Sequence, residues 1–210
     1  MEKERDDLKW ELVQTKHLVR NQWIDFREHV FRFPNGKLFE PYYSYSKRDY
    51  VVIVATDPEG NYLCVRQFRQ GICEVTTEFP AGGLERPEGM AYGSAEGRST
   101  EAEGLAAAMR ELREETGYAS QEWTHLITMP ASATISDNYV FVYRAKNCRR
   151  ISGQSLDETE FLNVEILTPD ELERRIHAGR FQQCDHVMGW YMAKEQDLKE
   201  NDAHVVTSQR

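Results

Sequence analysis

The sequence predicts an α+β fold in which a mixed β-sheet is sandwiched between helices, an α/β/α arrangement. Three observations carry that expectation. Tyr50–Thr56 (YVVIVAT) is a near-continuous β-branched run and reads as a buried strand. Asp57-Pro-Glu-Gly60 supplies turn chemistry, and residues 62–68 (YLCVRQF) return as a second strand, so the pair forms a hairpin. Strands interrupted by helices at irregular intervals then follow, which suits a mixed sheet with helices on both faces.

Taken in order, residues 1–20 are polar, with Leu8, Leu12 and Val19 roughly in helical register, and predict a short amphipathic helix. Residues 38–50 are rich in tyrosine and read as an extended connection. Together residues 1–49 form an N-terminal extension, 50–200 the main domain and 201–210 a C-terminal tail. Pro80-Ala-Gly-Gly83 opens a glycine-rich segment, and a helix is expected over Glu101–Thr116. Thr100 and Glu103 make a capping box at its start, and Gly117 stands where a C-terminal stop belongs. Strands are expected at 125–129, 139–144 and 161–167. Thr168-Pro-Asp-Glu171 is a second capping signature, for a helix ending near Gly179, and a last helix covers 185–199.

Composition narrows the function. Twenty-six basic residues against 35 acidic ones give a net charge of −9, which argues against wrapping nucleic acid or binding an anionic membrane. It leaves room for a small phosphorylated ligand, because metal ions reverse the local field. The four cysteines (Cys64, Cys73, Cys148, Cys184) show no CxxC pair or zinc spacing and are expected to be buried, reduced thiols. No run approaches the ~18 apolar residues of a membrane helix, and the charged N-terminus has no signal-peptide core. A cytoplasmic location is the expectation.

The helix 101–116 carries the chemistry. Leu105, Met109, Leu112 and Thr116 follow i, i+4, i+7, i+11 spacing and predict one buried stripe. Glu111, Glu114 and Glu115 are related by three and four residues and crowd a neighbouring face. A solvated acidic face is the common fate of such clusters. Here the three carboxylates would instead supply hard oxygen ligands for Mg²⁺ or Mn²⁺. Arg110 is placed to orient one of them, and the glycine-rich turn lets backbone approach phosphate or metal closely.

The stretch Arg110-Glu-Leu-Arg-Glu-Glu-Thr-Gly-Tyr118 resembles the second half of the Nudix box, R-E-U-x-E-E-x-G-U, with U bulky and apolar. Gly82 and Glu88 meet the first half, G-x5-E. Glu78-Phe-Pro-Ala-Gly82 and Arg66-Gln-Phe-Arg69 resemble motifs of the ADP-ribose pyrophosphatase branch. The resemblance covers roughly residues 50 to 192 and implies a Nudix fold. One departure stands out: twenty-one residues separate Glu88 from Arg110, fourteen more than the family's seven. The surplus, residues 89–102, reads as a flexible loop or as a substrate-contacting lid. Glu101 or Glu103 then competes with Glu88 for the first box position.

The resemblance implies hydrolysis of the diphosphate bond of a nucleoside diphosphate sugar such as ADP-ribose, with Mg²⁺ or Mn²⁺ held by Glu111, Glu114, Glu115 and the Ala81 carbonyl. Arg110 would hold the glutamates in place. A further carboxylate, Glu158 first and Glu160 second, would act as base or extra ligand, with an acidic surface loop as the alternative. Arg66, Arg69, Gly82, Gly83 and Ala133 are the candidate substrate contacts, with dimer contacts or plain exposed strand-end positions as the alternatives for the two arginines. Ala133 falls where the branch usually carries a proline, which keeps GDP-mannose or another nucleoside diphosphate derivative open. A non-catalytic nucleotide-sensing module is the alternative from another class. Dimerisation through residues 1–49 is implied by the same branch.

Overall fold

A computed structural model describes residues 8–85 and 99–207 of the chain, with side chains described as far as residue 200. Glu88 and residues 89–98 of the predicted insertion lie outside the described residues, as do 208–210. The described residues divide into two compact units: 8–48 and 130–138 form one, and 49–85, 99–129 and 139–207 the other.

The larger unit is organised by β4 (Tyr50–Thr56). Val51, Val52, Ile53, Val54 and Ala55 are all buried, so both faces of this strand are covered. One edge is taken by β10 (Tyr139–Lys146), parallel and in register from Val140↔Tyr50 to Ala145↔Ala55. The other edge is shared. β5 (Tyr62–Arg69) pairs antiparallel with its C-terminal end through Ala55↔Leu63 and Thr56↔Tyr62, closing the predicted hairpin. β7 (Ala81–Gly83) pairs with its N-terminal half, Val51 opposite Gly82. The full order is β12-β5-β4-β10-β9, with β12 at Leu162–Leu167 and β9 at Glu122–Pro130. β6 (Glu74–Glu78), which the sequence reading did not predict, pairs with β5. β8 (Tyr118–Ala119) and β11 (Arg149–Arg150) make a separate small ladder.

Alternate residues of each strand feed two cores, as the period of two requires. Val51, Ile53, Leu63, Phe141 and Tyr143 pack against Ala107, Ala108 and Leu112 of α1 (Glu101–Thr116). Val52, Val54, Cys64, Val140 and Val142 pack against α2 (Pro169–His177) and α3 (Cys184–Thr207) through Leu172, Trp190 and Ala193. The expected mixed sheet between helices is therefore the observed fold. α3 runs on through most of the predicted tail. Cys64 and Cys148 are buried, whereas Cys73 and Cys184 are exposed, so only half of the thiols are inside; all four are free. Among the described residues, no helix is long and apolar enough to cross a membrane.

The smaller unit corrects the reading of residues 1–20. Residues 11–20 are a strand, β1 (Glu11–Arg20), paired antiparallel with β2 (Asp25–Arg32), which in turn pairs with β3 (Leu38–Ser46). The register of β1 shifts between Leu12 and Gln14 and again between His17 and Val19. Each bulge adds a residue to one strand and interrupts the period of two, which leaves apolar spacings that mimic a helix. Segment 130–138 joins this unit: Arg27 donates to Asp137 at 2.9 Å, and the Ser46 hydroxyl donates to the same carboxylate at 2.6 Å. Ala133 lies in that segment and lines a cavity of about 260 Å³ with Trp10, Phe31 and Tyr42.

Candidate active site

Helix α1 is fixed at both ends by its sequence. The Thr100 side chain accepts from the Glu103 N–H, and the Thr100 N–H donates to Glu103 Oε2 at 2.7 Å, the predicted capping box. At the other end Gly117 adopts φ 76°, and its N–H donates to the Arg113 carbonyl at 2.8 Å. A Cβ there would lie 2.4 Å from the Ser152 carbonyl oxygen, so glycine serves both the left-handed turn and the close approach.

The buried face of α1 is Gly104, Ala107, Ala108, Glu111, Leu112, Glu115 and Thr116. This corrects the predicted stripe: Met109 is 46% exposed, and two of the glutamates lie on the inward face itself. Small residues at 104, 107 and 108 let the helix settle on the sheet, and that contact, rather than the larger apolar side chains, sets its rotation. Glu111 and Glu115 are only 6% and 3% exposed. Their position opposite β7 follows from the shared edge of β4, which brings residues 81–83 alongside the helix.

The Ala81 N–H donates to Glu115 Oε2 at 3.0 Å. At Gly82 a Cβ would sit 2.0 Å from Glu111 Cδ, so the Glu111 carboxylate fills the place of the missing side chain. Arg110 spans the cluster: Nη2 donates to Glu111 Oε1 at 2.7 Å and to the Gly83 carbonyl at 3.2 Å, and Nη1 to Glu114 Oε2 at 2.6 Å. Burial pushes the carboxyl pKa of Glu115 well above the ordinary range, and the charges of Glu111 and Glu160 push it the same way. Glu111 is raised by burial too, against the pull of Arg110. Two carboxylates raised chiefly by desolvation are short of positive charge, and they present hard oxygens beside a cradle that a Cβ would close. That donor set fits a divalent cation. Among the described residues, no three His, Cys, Asp or Glu side chains converge on one point as they stand, and Arg110 supplies the bridging charge instead.

The other predicted residues divide. Glu160 is the loop carboxylate whose charge reaches both Glu111 and Glu115, whereas Glu158, placed first by sequence, is exposed and does not figure at either. Glu101 and Glu103, the alternatives to Glu88, belong to the first turn of α1. Glu103 closes the capping box and Glu101 lies 3.5 Å from His125, so neither joins the cluster. Arg69 reaches the acidic side, where its charge lowers the Glu115 pKa. Its Nη2 lies 2.5 Å from Oε1 of Glu78, a carboxylate with no exposure at all. Arg66 is not brought to the cluster: it lines a cavity with residues of α2.

Glu78, the first residue of the E-F-P-A-G stretch, is a functional candidate that the sequence did not single out. His186 is buried, and its Nδ1 accepts the Phe79 N–H at 3.1 Å, which anchors the segment leading to Ala81. What reveals Glu78 is the register of β6, a strand that the sequence did not predict. Glu78 is opposite Val65 in the β5–β6 ladder and therefore shares the α1 side with Arg69, whose number is odd like that of Val65.

This fold and this cluster coincide with a match of residues 46–186 to the NUDIX domain. The chain belongs to the NUDIX family. It is similar to an ADP-ribose pyrophosphatase of Bacillus subtilis (strain 168), 29% identical over 169 residues, covering 77% of this chain and 80% of that one. It is similar to a methanol dehydrogenase activator of Bacillus methanolicus, 26% identical over 195 residues, covering 89% and 94%. A solved structure of an ADP compounds hydrolase shares the fold at a TM-score of 0.74 with 18% identity, covering 91% of this chain and 96% of that one.

Proposed function

We propose that the chain hydrolyses the diphosphate bond of a nucleoside diphosphate sugar such as ADP-ribose, giving a nucleoside monophosphate and a sugar phosphate. The observation that carries this reading is the pair of buried, desolvated carboxylates, Glu111 and Glu115, set against Gly82. Glu111, Glu114, Glu115 and the Ala81 carbonyl would hold Mg²⁺ or Mn²⁺, which when bound neutralises phosphate oxygens and makes water a stronger nucleophile. Arg110 keeps Glu111 and Glu114 in place. Glu160, with Glu158 as the alternative, takes the proton of the attacking water. Arg69, held by Glu78, offers its guanidinium to a phosphate, and the backbone at Gly82 and Gly83 lets that phosphate approach closely. The two ADP-ribose pyrophosphatase relatives, from B. subtilis and Mycobacterium tuberculosis, support this substrate class.

A second reading, another nucleoside diphosphate derivative such as GDP-mannose, has Ala133 in its favour, since the branch's proline is missing there. A cytoplasmic location belongs to the same proposal. So does a homodimer, supported by β1: every residue of this edge strand is exposed, Leu12, Leu18 and Val19 among them.

Phosphatase-coupled phosphate release from ADP-ribose and a panel of nucleoside diphosphate sugars, with Mg²⁺ or Mn²⁺, tests the assignment. ADP-ribose should turn over, and Glu115→Gln should lower kcat by at least about 100-fold. An active enzyme that tolerates Glu115→Gln unchanged would refute the metal site. Tight binding of the panel without turnover would favour a nucleotide sensor.

A further inference from the structure

The face of the sheet turned away from the acidic cluster carries a second concentration of charge, of opposite sign. In β5, Leu63 packs towards α1 and Cys64 towards α2 and α3. Arg66, two positions beyond Cys64, therefore projects on the α2 side. There it lines a cavity of about 550 Å³ together with Arg174, Arg175 and Arg180. That volume lies within the roughly 300–1,000 Å³ typical of small-molecule sites. In a chain of net charge −9, four arginines around one cavity invert the sign of the molecule locally.

The four do not have equal freedom. Arg175 donates through both terminal nitrogens to Glu165, at 2.9 and 2.8 Å, and to Glu171 at 2.8 Å. Its guanidinium holds Glu165 below the usual carboxylate range, so this group serves as wall. Glu74, the third acid of the lining, accepts from the Gln182 amide at 3.0 Å. Arg66, Arg174 and Arg180 are exposed, and among the described residues none of them is paired with a carboxylate; Arg174 Nε donates to the Asp170 carbonyl at 3.2 Å. Four arginines against three glutamates leave the lining one positive charge in excess. Guanidinium forks match the spacing of phosphate oxygens. No aromatic side chain lines the cavity, so nothing there stacks on a base and recognition must act through charge.

We propose that this cavity binds a small, multiply charged phosphate anion of the orthophosphate or pyrophosphate class, at a site separate from the acidic cluster. Calorimetric titration of the full chain with inorganic pyrophosphate in EDTA and low salt tests it, since EDTA withholds the divalent ion that would bring the anion to the glutamates. Saturable binding is expected, weakened at least about tenfold by the double exchange Arg174→Ala and Arg180→Ala. Both arginines are exposed and outside ion pairs, so the double variant should melt with the parent, which the same samples verify. Glu111→Gln should bind the anion like the parent. Absence of saturation in the parent, or parent-like affinity in the double variant, overturns the proposal. Weakening confined to Glu111→Gln overturns it as well, by assigning the anion to the acidic cluster.

Discussion

Gly82 and Glu111 share one small volume, and a single methyl group would force them apart. The displaced atoms belong to the end of a flexible carboxylate rather than to backbone, so Gly82→Ala should cost about 1 kcal/mol of stability or less. Glu111, however, must leave its place. Turnover should fall at least about 100-fold while the melting temperature moves by only a few degrees. Parallel melts and rates on the purified variant check this, and full activity would show that Glu111 can work from another position. At this scale the sequence was legible where residues act through identity: the string RELREETG points to its own chemistry. It was less legible where they act through direction. Arg66 and Arg69 belong to one motif, RQFR, yet the odd interval of three positions between them sends them to opposite faces of a strand.

Elements were readable when local chemistry and burial agreed. Helix α1 has its cap, its stop and its inward face all within one segment, and β4 is apolar along its whole length because both of its faces are covered. β1 and β6 have neither advantage: every residue of β1 is exposed, and the buried part of β6 is polar (Thr76, Thr77 and Glu78), so neither shows an apolar period. The three strands of the smaller unit are tied by His29: Thr15 Oγ1 lies 2.9 Å from its Nδ1, and Ser44 Oγ lies 2.7 Å from its Nε2. Burial first, and then the Arg27 charge, lower its pKa below 6.5. A histidine with a depressed folded pKa binds fewer protons folded than unfolded, so its contribution to stability is present above pH 6.5 and lost as pH falls through the folded value. Urea midpoints followed by tryptophan fluorescence should therefore drop below about pH 6.5, and His29→Gln should flatten that drop. An unchanged pH profile in the variant would place the acid sensitivity elsewhere.

For the whole molecule, the division into two units explains which half was legible. In the larger unit a shared core imposes periods of two and 3.6 on the sequence, and those periods could be read. In the smaller unit the large apolar side chains, Trp10, Leu12, Val19 and Trp23 among them, lie at the surface, so no inward face disciplines their spacing. A second copy covering β1 would account for that exposure. Sedimentation of the full chain should give twice the 24.5 kDa chain mass, and Val13→Asp with Val19→Asp should return it to the monomer mass. A monomeric parent removes the dimer from the proposal.

The parallel seam between β4 and β10 joins positions 90 residues apart, Tyr50 with Val140. The neighbouring β4–β5 turn closes over a handful of residues, and the backbone hydrogen bonds and caps of α1 are local. Closing a ring of that size sacrifices chain entropy before its contacts repay the loss, and folds rich in such pairings form slowly. During refolding, helix and hairpin signals should therefore precede the seam. The glutamates and Gly82 both lie inside the ring, so the active geometry keeps time with the slowest closure of the fold.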